Sequence, residues 1–135
     1  MNAMTTALTG VAASELRLSV SAANVANMNS AGATPAAQQA QTPNPAPQPY
    51  QPARVQQAAQ PGGGVEAHVT RNPGNILIYQ PSSPYADAEG MIAIPDIDPA
   101  QEHVEQVAAK QAFEANIRII KVADDMQRRL IDQLA

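Results

Sequence analysis

Two histidines, His68 and His103, are the first residues to test for chemistry in this 135-residue chain. They lie far apart and have no Cys or acid partners at ligand spacing, so the pattern makes no metal site. Asp96, Asp98, Glu102 and Glu105 crowd one stretch, but a calcium loop needs a central Gly and a terminal Glu that are missing. Ser14 and Ser19 have no His or Lys placed as a base on the same segment. Asp124 and Asp125 would point about 100° apart on a helix, which suits salt bridges better than shared acid–base work. Pro61-Gly62-Gly63-Gly64 is not followed by Lys-Ser/Thr or by a helix start, so it is no phosphate loop. The sequence holds no Cys, which removes disulfide and thiolate chemistry. The chain reads as a non-enzyme without cofactor or metal.

With no chemistry to position, the elements themselves carry the function. The dominant one is Asp98 to Leu134. Asp98 can cap the first free N–H groups, Pro99 suits the first helical position, and Gln101 completes a capping-box spacing. No Pro or Gly follows Pro99, so about 36 residues at about 1.5 Å each predict a rod of roughly 54 Å. One apolar row runs Val104, Ala108, Ala112, Ala115, Ile119, Val122, Met126, Leu130. A second, Phe113, Ile117 and Ile120, widens the arc in the middle. Glu114 with Arg118, Asp124 with Arg128 and Asp125 with Arg129 are spaced for favourable i,i+4 pairs. Such an arc needs more than one partner.

The other Pro-free end, Met4 to Met28, repeats Met4, Leu8, Val11, Leu18, Ala22 and Val25 in three- and four-residue steps, interrupted only by Glu15. Gly10 and the Ser, Asn and Val content make it a marginal helix alone, and the long C-terminal helix is its obvious partner. Asn24, Asn27 and Asn29 read as helix termination. All twelve prolines fall between Pro35 and Pro99. Ser30 to Pro49, with Pro43, Pro45, Pro47 and Pro49 alternating, reads as an extended or disordered spacer. Arg54–Ala58, Val65–Arg71 and Ile76–Tyr79 carry strand signals, enough for a ribbon of two or three strands at most. Met91 to Pro95 reads as a short extended entry to the long helix.

Composition agrees. The apolar fraction of 44% is mostly Ala, and aromatics are 3%. Large apolar side chains, each contributing about 1.5–3 kcal/mol on burial, gather at the two ends. The net charge of −4 without a basic patch argues against nucleic acid. No window of 18 uncharged apolar residues predicts a membrane span, and no basic flank with an apolar run predicts a secretory signal.

The run Ala7-Leu8-Thr9-Gly10 with Leu18 to Asn27 resembles the N-terminal signature of bacterial flagellar rod and hook axial proteins. Gln111 to Asn116, with Lys121 to Met126, resembles their C-terminal signature. Pro49-Tyr50 with Arg54-Val55 is similar to a tyrosine-containing turn of that family. Leu77 to Pro81, Ala86 to Gly90 and Ile94 to Asp98 resemble the loop of its small proximal-rod member. Ser30 to Pro49 departs from the family in its length, and the N-terminal match is partly like distal-rod members.

The resemblance implies a mainly α fold in which the N- and C-terminal helices pair as an antiparallel coiled coil around a small irregular β or extended middle. The expected division is 1–29 as N-terminal rod helix, 30–97 as the middle and 98–135 as C-terminal rod helix. It implies a structural subunit of the proximal rod in the flagellar basal body, which spans the periplasm, assembling helically to transmit torque and exported without a cleaved signal. Expected partners are copies of itself and other rod proteins, with the membrane-embedded ring or an export-gate adaptor at the rod base as further candidates. Leu8, Val11, Leu18, Val25, Phe113, Ile117, Ile119, Ile120, Val122, Met126 and Leu130 are the expected subunit-interface residues. A distal-rod member, or a non-flagellar periplasmic adaptor using the Pro-rich tract, is the alternative. Deleting Ser30 to Pro49 should disable an adaptor and largely spare a rod subunit.

Overall fold

The computed structural model describes residues 3–39 and 47–134. Its elements are α1 (Ala3–Asn27), α2 (Pro35–Gln39), β1 (Ala53–Ala59), β2 (Val65–Arg71), β3 (Asn75–Tyr79), β4 (Met91–Pro95) and α3 (Pro99–Leu134). The architecture is mainly α, with a long helix at each end and a small β region between. Asp98 starts α3 as its chemistry dictates: its Oδ1 accepts from the Ala100 N–H at 2.9 Å. Asp124 and Arg128 close to 3.0 Å, and Glu114 and Arg118 to 3.9 Å. The third expected pair, Asp125 with Arg129, does not form.

The β region exceeds the expected ribbon. It holds two separate antiparallel pairs, β1 with β2 and β3 with β4. Met91 to Pro95 is therefore a strand, pairing from Tyr79↔Met91 to Asn75↔Pro95. It is held on its other side too, where Gly32 and Ala93 exchange backbone hydrogen bonds of 2.9 and 3.0 Å. β1 and β2 join through Gly62, Gly63 and Gly64, whose φ values of 109°, 98° and 91° are ones that side chains rarely allow.

That hairpin lies along α1. Asn24 holds the start of β1 at Ala53, and Thr9 Oγ1 accepts from the Val65 N–H at 3.1 Å at the start of β2. From residue 9 to residue 24 a helix rises about 22 Å, and a seven-residue strand spans about 23 Å, so the two lengths match.

The spacer expectation for Ser30 to Pro49 is corrected at both ends. Gly32, Ala33 and Thr34 are buried. Ala33 donates its N–H to the Pro47 carbonyl at 3.0 Å. Thr34 Oγ1 donates to Asp87 Oδ2 at 3.0 Å and accepts the Ala37 N–H at 3.3 Å, capping α2. Asp87 also accepts from the Met91 and Glu89 N–H groups, and the Met91 bond above all holds its carboxyl below the usual range. A Pro-rich composition hides this strap because its hold is made by backbone and small side chains, not by apolar bulk. Residues 40–46, with Pro43 and Pro45, lie outside the described residues. Deletion of 30–49 would thus remove packed structure, and a spacer test has to be confined to 40–46.

The buried apolar set is small. Among the described residues it comprises Ala7, Ala13, Ala33, Ala53, Ala93, Ala109 and Ile92, with Pro95 beside them, so alanine dominates. Alanine burial removes too little apolar area to order long rods alone.

Candidate assembly surface

α1 and α3 meet along a seam of small and polar groups. Ala7, Gly10, Ser14, Arg17, Ser21 and Asn24 recur in steps of three and four, the same period as the larger apolar row but a different phase. Close approach explains the choice. A Cβ on Gly10 would stand 2.7 Å from the Asn116 amide, and Ala109 is fully buried. Contacts pair low α1 numbers with high α3 numbers: Gly10 with Asn116, Arg17 with Glu105, Asn24 with Glu102. The seam is the correction to the expected one. Leu8, Leu18 and Ala22 are exposed.

Asn24 is the node of the arrangement. Its Nδ2 donates to the Ala53 carbonyl and to Glu102 Oε1, both at 2.8 Å. Its Oδ1 accepts from the Ala53 N–H at 3.0 Å and from the Tyr50 hydroxyl at 3.1 Å. One amide thus ties α1, the turn before β1, β1 and α3, and satisfies donors and acceptors that burial would otherwise penalise. Reading Asn24 as a helix terminator missed this; only Asn27 bonds within its own helix, to Ala23. The recoverable signal was the small-residue repeat on which Asn24 lies.

Beside the node, Arg17 Nε donates to Glu105 Oε1 at 2.6 Å, and Ser21 Oγ donates to the Glu102 carbonyl at 3.1 Å. The Arg17 hydrogen bond holds the Glu105 carboxyl below its ordinary 4.5, aided by the Arg17 and Arg54 charges and opposed by desolvation; Arg17 is raised in turn. A depressed carboxylate stabilises the fold above its unfolded value and loses that contribution as pH falls through the folded one. The stability gap between the parent chain and Glu105→Gln should therefore be constant at pH values well above 4.5 and shrink once pH drops below it, as followed by thermal unfolding.

The expected interface residues have one property in common. Leu8, Leu18, Phe113, Ile119, Val122, Met126 and Leu130 are exposed, and Val11, Val25, Ile117 and Ile120 are half-buried. Met126 and Val122 keep about three-fifths of their surface in contact with solvent, 61% and 58%. By helical phase, Phe113, Ile117 and Ile120 lie on one flank of the α1 contact and Ile119, Val122 and Met126 on the other. On the latter flank Ala3, Arg118, Ile119, Val122, Ala123 and Met126 line a shallow groove that is apolar on its surface. An uncovered apolar surface this extensive on so small a core makes these rows a candidate interaction surface.

The comparisons bear on what covers it. The model of the family described as flagellar basal body rod FlgEFG protein C-terminal matches residues 88–133. The chain is 31% identical over 138 aligned positions to flagellar basal-body rod protein FlgC of Yersinia enterocolitica, covering 97% of this chain and 95% of that protein. Identity to the protein of the same name from Salmonella typhimurium is 30% with the same coverage. The Aquifex aeolicus protein of that name is 33% identical over 44% of this chain and 45% of its own.

Proposed function

The chain belongs to the family of flagellar basal-body rod protein FlgC, and from that premise we propose how its exposed rows build a rod. It is a structural, non-enzymatic subunit of the flagellar basal-body rod. Its place is the proximal rod, where it assembles with copies of itself and other rod proteins and passes torque along the axis. α1 and α3 act as an antiparallel coiled coil, 1–29 and 98–135 serving as rod helices around the 30–97 middle. The expected interface set, from Leu8 to Val25 on α1 and from Phe113 to Leu130 on α3, meets neighbouring subunits. The ring or an export-gate adaptor at the rod base is a candidate neighbour.

The single observation behind this reading is that the fold buries alanine and leaves its large apolar residues outside. Different patches meeting head to tail form helical rather than closed assemblies. Relatives matching nearly the full chain carry the rod name, which gives no support to the adaptor alternative.

Leu18→Asp tests it, with Ile117→Asp beside it. Leu18 is already exposed, so the folded subunit should tolerate the charge, whereas an interface would have to desolvate it at a cost of several kcal/mol. The helical circular dichroism of the purified chain should be unchanged, and swimming and basal-body yield should collapse. Normal motility in both variants contradicts the proposal.

A further inference from the structure

Each exposed row has one unpaired charge in it or beside it. On α1, Glu15 interrupts the apolar series, and it makes no ion pair among the described residues. The helix's other charge, Arg17, is committed to Glu105. On α3, Arg129 lies three residues beyond Met126, beside Leu130 at the end of the row, and it too makes no ion pair among the described residues. An acid inside a seam that becomes covered is costly unless a base meets it.

The spacings decide which base. From Glu15 the α1 row steps by three, four and three residues through Leu18 and Ala22 to Val25. From Ile119 the α3 row steps by three, four and three through Val122 and Met126 to Arg129. Laid antiparallel, the two rows coincide at every step, with Val25 opposite Ile119, Leu18 opposite Met126 and Glu15 opposite Arg129. Laid parallel with the charges matched, they do not, because the steps leading to Glu15 from Met4 run four, three, four. Nor can the pair form within one chain, where Arg17 is held at Glu105 and Ala3 already lies beside Met126.

We propose that the outward row of α1 in one copy docks antiparallel on the Ile119–Met126 row of α3 in a second copy, with Glu15 and Arg129 paired across the contact. This rests on the rod reading and deepens it by naming the surface, the occupant and the register. The two patches differ, so the contact is head-to-tail and propagates. The apolar positions supply adhesion, and the single charge pair fixes register, as one polar residue at a seam position does in coiled coils.

The absence of native cysteine makes the test direct. Full-length chains carrying Leu18→Cys are mixed with chains carrying Met126→Cys under assembly conditions and oxidised. The expected product is a mixed dimer, at several times the yield of either homodimer. In cells, Glu15→Arg and Arg129→Glu should each cut swimming at least tenfold, and the double exchange should restore most of it. Equal homodimer and mixed yields, a Leu18→Cys crosslink to a different protein only, or no rescue by the double exchange would each overturn the proposal. Deleting the whole chain separates the two levels: loss of motility there with unaffected single variants sinks the register alone, while retained motility sinks the rod reading.

Discussion

Asn24→Leu should cost the subunit more than any other single change on α1. The substitution strands the N–H and C=O of Ala53, which are buried, together with the Tyr50 hydroxyl and one acceptor of Glu102. Each buried group left without a partner costs about 1–3 kcal/mol, so the loss is on the order of 3 kcal/mol or more. A domain of ordinary stability holds only about 5–15 kcal/mol. Urea titration at fixed protein concentration, followed by circular dichroism, should show the midpoint fall sharply. Asn27→Ala is the control, because Asn27 serves only its own helix, and its midpoint should move little. Similar shifts in the two variants would remove Asn24 from its place as the node.

The second large effect falls on the strap. A Cβ at Gly32 would stand 2.3 Å from the Pro49 nitrogen and 2.7 Å from its Cα. Those are backbone atoms and cannot rotate aside. Gly32→Ala must therefore break either the bridge to Ala93 or the seating of Pro47 to Pro49. Native-state amide exchange at Ala93, whose N–H donates to Gly32, should accelerate on the order of tenfold or more. Gly10→Ala is the contrast: it meets the end of the Asn116 side chain, which can turn away, so it should be far milder despite the similar distance. Unchanged exchange in Gly32→Ala at both Ala93 and Ala33, whose N–H donates to Pro47, would refute the account of the strap.

The two long helices were legible from Asp98-Pro99 and from the absence of Pro at either end, and three strands were legible from alternation and turn residues. The phase of α1 was not. Two repeats with the same period share that helix, and hydrophobicity selects the one with Leu8 and Leu18. Close packing selects the other, through Gly10, Ser14 and Asn24, because only short side chains let two backbones and a hairpin converge. The larger row was a sound guide to stickiness and a poor one to internal contact. The strap escaped for a related reason: Gly32, Ala33 and Thr34 are held by main-chain bonds and one hydroxyl, which leave no mark in apolar periodicity. β4 escaped because its pairing depends on β3, across the long 80–90 loop, and on Gly32, far earlier in the chain.

The two rods are unequal. Ala3 lies alongside Met126, yet α3 runs on to Leu134, two further turns with Leu130 and Ile131 bare. A piece with such a tongue cannot be stacked flush on its neighbour if those residues are to be sheltered. In the proposed rod it would overlap, as bricks do in a bonded wall, and a twisting load would then cross each joint as shear spread along a lap instead of tension at a butt end.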